Sequence, residues 1–314
     1  MLVVAGLVEA GTFPGPAAPA TTDPLRQPRL QTKTLQQFLS GFLRLRIACP
    51  ILQISLCTFL LLSAQELPRL ATNTAEAQTT EWNAFLNDVR KRALLFTDDL
   101  PDFICRQITR RFKDPLGGNQ WQSQDIVESE LGYNQEQENY SNIKINGRPV
   151  TKRFESLGNV ISIGEFGSIL RSLFIPETQA KFRKEGEEQF RGVQTVVIGF
   201  SVPRESSAWT ISYKNSYSLK VAYQGRIWVD ARNRSILRIS QHTLQLPRNF
   251  PILYSETTTE YGYRAIAGLE NQSFLLPIAA ELVIRENQNR LSSRNLIEFR
   301  EFRRFTADVK LKED

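Results

Sequence analysis

The feature that most constrains the fold is a period of two among the apolar residues of the second half of the chain. From Ala180 onward, strand-like segments are separated by turn residues about every 8–14 positions. In Phe274–Glu286 every second residue up to Ile284 is apolar, whereas Glu281 and Arg285 lie on the other face. Such alternation predicts antiparallel strands with one covered face and one wet face.

The region before these strands predicts a helix followed by three more strands. Apolar residues recur at helical spacing over Trp82–Phe96, and Thr79 or Thr80 can cap the helix N-terminus. After Pro101 the period changes from 3.6 to two. The third of these strands is expected to end at the turn signal Asn146-Gly147.

A second helix is predicted between the two groups of strands. The segment Ser162–Glu165 matches a capping box, and Ile163–Phe174 carries an apolar face that ends before Pro176. Gly164 and Gly167 each cost about 1 kcal/mol in a helix. The helix is therefore expected to depend on packing.

These elements predict a mainly β (α+β) fold. We expect a single curled antiparallel sheet or half-barrel of about ten strands, with the N-terminal helix and an inserted helix or two on its concave face. The last segment, Asn295–Phe305, has a spacing of three that fits a helix, but a strand with a bulge near Arg300 fits as well and suits the context. No Gly- or Ser-rich linker interrupts residues 79–314, which are expected to form a single β-rich domain.

A cationic start followed by the apolar run Ile47–Ala64 is typical of a secretory signal. Pro50 and Gln53 interrupt the run, and its strongest stretch is shorter than the ~20 residues of a membrane span. We predict a signal peptide over residues 44–64 and export to the periplasm or the medium. A single N-terminal transmembrane anchor is the alternative.

The segments that flank the signal are predicted to be irregular. Residues 1–43 contain a stretch rich in proline and alanine and are expected to be disordered, with the true translation start downstream, near Arg44. Residues 65–78 are polar and are expected to be a flexible tether to the folded domain.

The composition offers few residues for catalysis. The 314 residues include one histidine and three cysteines, of which Cys49 and Cys57 lie in the signal. Only Cys105 and His242 could form a nucleophile and base, and they lack any local signature. The acidic residues within 98–102 are expected to form a solvent-exposed corner. The formal net charge of +6 is dispersed in short clusters along the chain. We therefore expect that the protein is not an enzyme, that it holds no cofactor or metal, and that it binds no nucleic acid.

Two resemblances rest on particular segments. Leu100–Phe112, Gly164–Leu170, Phe274–Pro277 and Arg294–Arg300 resemble recurring blocks in a family of exported bacterial proteins with no assigned function. The order of elements and the segment Gly225–Ile239 resemble the periplasmic lipoprotein-carrier (outer-membrane lipoprotein-sorting) superfold. This second resemblance implies an open half-barrel whose helices form a lid over an apolar cavity, which carries lipid chains or senses envelope components.

The second helix is therefore a candidate lid, with a plain core helix as the alternative. A cavity for an apolar ligand would be lined by Trp121, Tyr133, Phe166, Ile169, Leu170, Leu173, Phe174, Phe200 and Phe274. We expect an exported non-enzymatic envelope protein that carries or senses a lipid-like ligand. The alternatives are a structural or protein-interaction module of the envelope and, more distantly, a hydrolase. The partner would be a lipid, an acyl chain or an envelope protein, and only the signal or anchor segment would contact the membrane.

Overall fold

The structure is a computed structural model. It describes residues 2–7, 67–96, 98 and 100–305, except 135–136, 155–156, 158, 164–165, 167, 214–216, 270 and 288–290. The predicted signal peptide lies outside these residues and stays a prediction. No helix in the described ranges combines the length and the hydropathy that a membrane span requires. The chain divides into two compact units, residues 1–10 with 83–314 and residues 11–82, and both sheets belong to the first.

Most of the described residues form strands. The helices are α1 (Leu67–Leu94) and α2 (Ser168–Phe174), with short 3-10 turns at Pro176–Thr178 and Arg204–Ser206. The strands are β1 (Leu2–Leu7), β2 (Phe103–Asp114), β3 (Gln122–Asn134), β4 (Gln137–Ile145), β5 (Arg148–Pro149), β6 (Asn159–Ile163), β7 (Lys181–Phe190), β8 (Val193–Val202), β9 (Trp209–Tyr213), β10 (Tyr217–Lys220), β11 (Tyr223–Asp230), β12 (Ile236–Thr243), β13 (Ile252–Ala265), β14 (Ser273–Glu286) and β15 (Ser292–Arg304).

The dominant layer is one antiparallel sheet of eleven strands in the order β5-β4-β3-β2-β15-β14-β13-β12-β11-β8-β7. Among the described strands, β5 and β7 do not pair with each other, so the sheet stays open. This confirms the predicted mainly-β fold with a large antiparallel sheet. Asn146 and Gly147 both have positive φ in the tight turn between β4 and β5, as their sequence predicts.

A smaller sheet of four strands, in the order β10-β9-β1-β6, accompanies the large one. Strand β1 runs parallel to β6 and antiparallel to β9. We expected residues 1–43 to be disordered, yet Leu2–Leu7 is a strand, and the sequence Leu-Val-Val-Ala-Gly-Leu is compatible with one. Residues 8–43 lie outside the described part of the chain.

Both helices differ from their predicted bounds. Helix α1 begins at Leu67, within the segment expected to be a tether, where several alanines favour a helix. The predicted capping box is wrong, because Ser162 belongs to β6 and α2 begins only at Ser168. The β-branched residues of β6 favour a strand that pairs with β1, and the glycines that follow disfavour a helix.

The large sheet has a covered face and a wet face. On β2 the buried residues include Phe103, Cys105 and Gln107, whereas Arg106 points to the other side. We call these the inner face and the outer face. On β15 the pairing register shifts between Arg300 and Arg303, so that both Phe299 and Phe302 are buried. The predicted bulge near Arg300 is therefore confirmed.

Candidate functional site

A cavity of about 290 Å³ lies between the C-terminal part of α1, helix α2 and strands β12 to β14. Its apolar lining residues are Ala93, Phe96, Leu100, Leu170, Ile236, Phe274 and Leu275. Ligand sites are commonly concave and apolar, with a few convergent polar groups. This cavity combines both kinds of group, and its volume lies just below the usual range, which begins at about 300 Å³.

The helices that form the cavity are fixed by specific contacts. The ring of Phe96, just after α1, meets Tyr261 of β13 edge to face at 5.7 Å between centroids. Arg171 of α2 donates to the backbone oxygen of Leu94 at 3.5 Å and lies 3.5 Å from the carboxylate of Asp98. Sequence alone does not predict this contact, because it joins elements that are 77 residues apart.

Three polar side chains also border the cavity: Arg92, Tyr263 and Ser273. The hydroxyl of Tyr263 lies 2.8 Å from Oγ of the buried Ser235. The Tyr263 ring is nevertheless 40% exposed. The cavity therefore combines apolar lining residues with a polar border.

The cavity adjoins an aromatic cluster on the inner face of the sheet. Phe274 and Leu100, which line the cavity, also pack against this cluster. Within it, Phe103 stacks on Tyr133 at 5.3 Å, and Phe166 lies close to both rings. The apolar surface of the cavity is thus continuous with the end of the sheet formed by β2, β3 and β15.

The structure brings together only part of the predicted lining. Leu170 and Phe274 line the cavity, and Tyr133 and Phe166 lie in the adjoining cluster. The other predicted residues lie elsewhere: Ile169 and Leu173 are buried on α2, Phe174 stacks on Phe182 at 5.1 Å, and Phe200 packs against Tyr223 at 6.1 Å.

Trp121 lies apart from the other predicted lining residues. It precedes β3, and the guanidinium of Arg294 lies 5.8 Å from its ring. Arg294 in turn donates to Glu281 of the outer face at 2.7 Å. Trp121 is therefore associated with the wet side of the sheet.

Several lining residues were missed by sequence reasoning. Ala93 and Phe96 belong to the apolar stripe of α1, so the helical period was a sufficient signal for them. Ile236 and Tyr263 come from different strands, and only the strand order of the folded sheet brings them to the cavity.

Cys105 and His242 do not form a catalytic pair. Cys105 lies buried on the inner face of β2, whereas His242 lies on the outer face of β12, beside Gln224 at 3.1 Å between Nε2 atoms. These strands are four positions apart in the sheet, or roughly 19 Å. Burial, with a smaller contribution from the charge of Glu138, raises the pKa of the Cys105 thiol, which disfavours the reactive thiolate.

The acidic corner after α1 is partly neutralised by the Arg171–Asp98 contact, and Asp99 lies outside the described residues. Within the residues that the structure describes, no three His, Cys, Asp or Glu side chains converge as metal ligands would. Asp98 is exposed, as expected for a residue of a solvent-exposed corner.

The outer face carries a polar depression of about 730 Å³ over β7, β8, β11 and β12. Glu185 accepts from both Arg183 and Arg226 at 2.6 Å. The hydrogen bond from Arg183, together with the bond and charge of Arg226, holds the pKa of Glu185 below its ordinary value. Arg238 lies 4.8 Å from the Trp228 ring, whose indole N–H donates to Glu188. These ion pairs and hydrogen bonds form the polar outer surface of the sheet. Because the side chains bind one another, few of these charged groups are available to bind a ligand.

Comparison with known proteins gives similarity in structure and none in sequence. No family model matches this chain, and no curated protein sequence matches it. A LolA superfamily protein from Nitrosomonas europaea is similar with a TM-score of 0.35 and 10% identity, over 73% of this chain and 97% of that chain. A DUF1329 family protein from Desulfovibrio piger is similar with a TM-score of 0.30 and 11% identity, over 71% and 92%. The Mycobacterium tuberculosis lipoprotein LppX is similar with a TM-score of 0.25 and 12% identity, over 70% and 95%.

The superfold that the order of elements resembles is named for one of these solved structures, the LolA superfamily protein. At these identities and TM-scores, the ligands and partners of those proteins do not transfer to this chain. The resemblance to a family of exported proteins of unassigned function stays a prediction, because no family model matches.

Proposed function

We propose that this chain is an exported, non-enzymatic protein of the bacterial envelope that holds a lipid-like apolar ligand between its helices and the inner face of its large sheet. The observation that carries the proposal is the 290 Å³ cavity between α1, α2 and β12–β14. A helix that served only as core would pack against the sheet without such a space.

The continuity of apolar surface supports an elongated ligand. From the cavity, Phe274 and Leu100 lead to the aromatic cluster around Phe103 and Phe166. Burial of apolar surface stabilises a complex by about 25 cal/mol per Å². A chain that filled the cavity and covered the part-buried Leu100 and Phe274 would therefore gain affinity, whereas a small polar substrate would not.

The position of the potential nucleophile supports the non-enzymatic part of the proposal. Cys105 is on the opposite side of the sheet from His242, and its thiol pKa is raised by burial. Export rests on the predicted signal over residues 44–64, which lies outside the described residues.

The direct test is untargeted lipid analysis, by native mass spectrometry, of the full chain purified from its own host. We expect a co-purified apolar molecule at a fixed stoichiometry. Protein that carries no such molecule and binds no alkyl probe would instead favour a structural or protein-interaction module.

Cavity-filling variants link that result to the site. Ala93→Phe places a ring in the cavity and should abolish the co-purified ligand, and Ser273→Phe does so from the exposed border. Ala84→Phe is the matched control, because Ala84 is an exposed residue of the same helix. Circular dichroism separates loss of ligand from loss of fold. Retention of the ligand by both folded filling variants would place the ligand elsewhere.

A further inference from the structure

The inner face of the sheet changes from apolar to polar along β2 and β3. Phe103 pairs with Tyr133, and two residues further Cys105 pairs with Leu131. The next inward-facing pair is Gln107 with Ser129, and both are at most 3% exposed. A polar pair therefore follows directly after the aromatic cluster, on the same covered face.

This polar character continues across the sheet. Asn295 of β15 lies beside the inward-facing Arg111, and Thr257 of β13 lies beside Gln241 of β12. Each of these side chains is at least nine-tenths buried. We call the following residues the polar band: Gln107, Ser129, Asn295, Thr257, Gln241 and Ser255.

Three atoms of the polar band have no hydrogen-bond partner in the structure: Oε1 of Gln107, Oγ of Ser129 and Oγ of Ser255. The amide nitrogen of Gln107 is committed to Oγ1 of Thr109 at 3.2 Å, so its free atom is the acceptor. Buried polar atoms are nearly always paired in folded proteins, because an unpaired one loses its bonds to water. Two unpaired atoms on directly paired residues therefore indicate a surface that a ligand completes.

The charges on the inner face indicate what kind of ligand headgroup would fit beside the polar band. The guanidinium of Arg111 is bound through two nitrogens to Asp125, at 2.5 and 2.6 Å, and both side chains are largely buried. Its positive charge is therefore neutralised, and it does not offer a site for an anion. The unpaired atoms are hydroxyl and amide oxygens, which bind hydroxyl and amide groups.

We infer that the ligand is amphipathic with an uncharged, hydroxyl- or amide-bearing headgroup, which the polar band binds through Gln107 and Ser129. This inference rests on the proposed function and specifies its ligand class. The apolar part of the ligand lies in the cavity and against the edge of the aromatic cluster, whose buried side chains separate to admit the headgroup. The headgroup satisfies Oε1 of Gln107 and Oγ of Ser129, whose pairing is incomplete without it.

The test compares three probes of equal chain length on the full chain: decyl glucoside, decanoate and decyltrimethylammonium. Isothermal titration below the critical micelle concentration should show decyl glucoside bound at least tenfold more tightly than either charged probe. Tighter binding of a charged probe, above all of decanoate near Arg92, would overturn the inference and leave the proposed function intact. Failure of all three probes to bind would count against both.

Variants then assign the preference to the polar band. Gln107→Leu with Ser129→Ala should weaken decyl glucoside binding about tenfold and leave decanoate binding unchanged. The melting temperature of the ligand-free protein should change little, because the loss of the Gln107–Thr109 hydrogen bond is offset by the removal of two unpaired buried atoms. Ser129→Ala alone serves if the double variant does not fold. Glu128→Gln, the adjacent residue on the outer face, is the control. An equal effect on all probes, or none, would contradict the inference.

Discussion

The side chains of Trp209 and Tyr223 meet edge to face inside the protein, with ring centroids 5.4 Å apart and an interplanar angle of 80°. Trp209 belongs to β9 of the small sheet, and Tyr223 belongs to β11 of the large sheet. Both are 2% exposed. This contact anchors the small sheet on the inner face of the large one, beside Phe200, which packs against the same tyrosine.

Replacement of Trp209 should therefore weaken the whole domain. We expect Trp209→Ala to reduce the free energy of unfolding by about 3–5 kcal/mol, because it removes a large buried ring and leaves a cavity. Urea unfolding followed by circular dichroism measures the change. Tyr217→Ala, at a 52% exposed position of β10 in the same sheet, should cost far less. Similar losses for both variants would contradict the role given to the contact.

Gly225 is a position where only glycine fits. A Cβ there would collide with the backbone oxygen of Ser240 and would lie 2.7 Å from Cζ of Phe200. We expect Gly225→Ala to destabilise the protein by about 1–3 kcal/mol, because both obstacles lie in packed strands. Gly186→Ala is the control, since a Cβ at Gly186 meets no atom within 4 Å. Comparison of thermal melts should separate the two variants clearly, and equal melting temperatures would refute the steric argument.

The Arg111–Asp125 ion pair predicts that replacement of the arginine alone lowers the free energy of unfolding strongly, whereas replacement of both residues lowers it less. Arg111→Met should cost about 3–5 kcal/mol, because Asp125 would remain as a buried carboxylate without its counter-charge. Arg111→Met combined with Asp125→Leu should restore much of this stability. Chemical denaturation of the wild type, the two single variants and the double variant closes the double-mutant cycle. Additive losses in the double variant would show that the two residues act independently.

The Arg110–Glu298 pair on the outer face predicts a pH dependence. The hydrogen bond from Arg110 is the main cause that lowers the pKa of Glu298 below 4.5. Because the folded pKa is depressed, the pair stabilises the protein fully above the unfolded pKa and loses this effect as the pH falls through the folded pKa. Arg110→Gln should therefore lower stability at pH 7 by up to about 1 kcal/mol, given the partial exposure of the pair.

The difference in melting temperature between the wild type and Arg110→Gln should then shrink as the pH is lowered from 7 towards 3. Lys144→Gln is the control, because Lys144 is exposed and makes no ion pair among the described residues. A gap that stays constant over this range would show that Glu298 is not the titrating partner.

Local signals predicted several turns and one bulge, but not the start of α2. The Asp114 carboxylate accepts from the backbone N–H groups of Gly117 and Asn119, and these turn-forming residue types are apparent in the sequence. Asp230 likewise accepts from Arg232 in the turn between β11 and β12. The bulge near Arg300 followed from the spacing of its phenylalanines. These features depend on residues that are close in sequence, so their chemistry is visible there.

The polar band and the small sheet could not be predicted in the same way. Along β2, Gln107, Thr109 and Arg111 alternate with other residues just as a solvent-exposed face would, yet they are buried. Periodicity shows that two faces differ but not which one is covered when both carry polar groups. Strand β1 joins the small sheet through pairing with β6, more than 150 residues further along the chain, and no local pattern indicates such a partner.

The position of β15 affects how the protein can fold. This strand comes last in the described chain, yet it lies between β2 and β14 in the middle of the large sheet. Contacts such as Arg110 with Glu298, 188 residues apart, form only when the C-terminal strand is available, and until then β2 and β14 present unpaired edges. Such long-range pairing folds slowly and leaves partial chains prone to aggregation. The edges of β2 and β14 are thereby covered only once β15 has been synthesised.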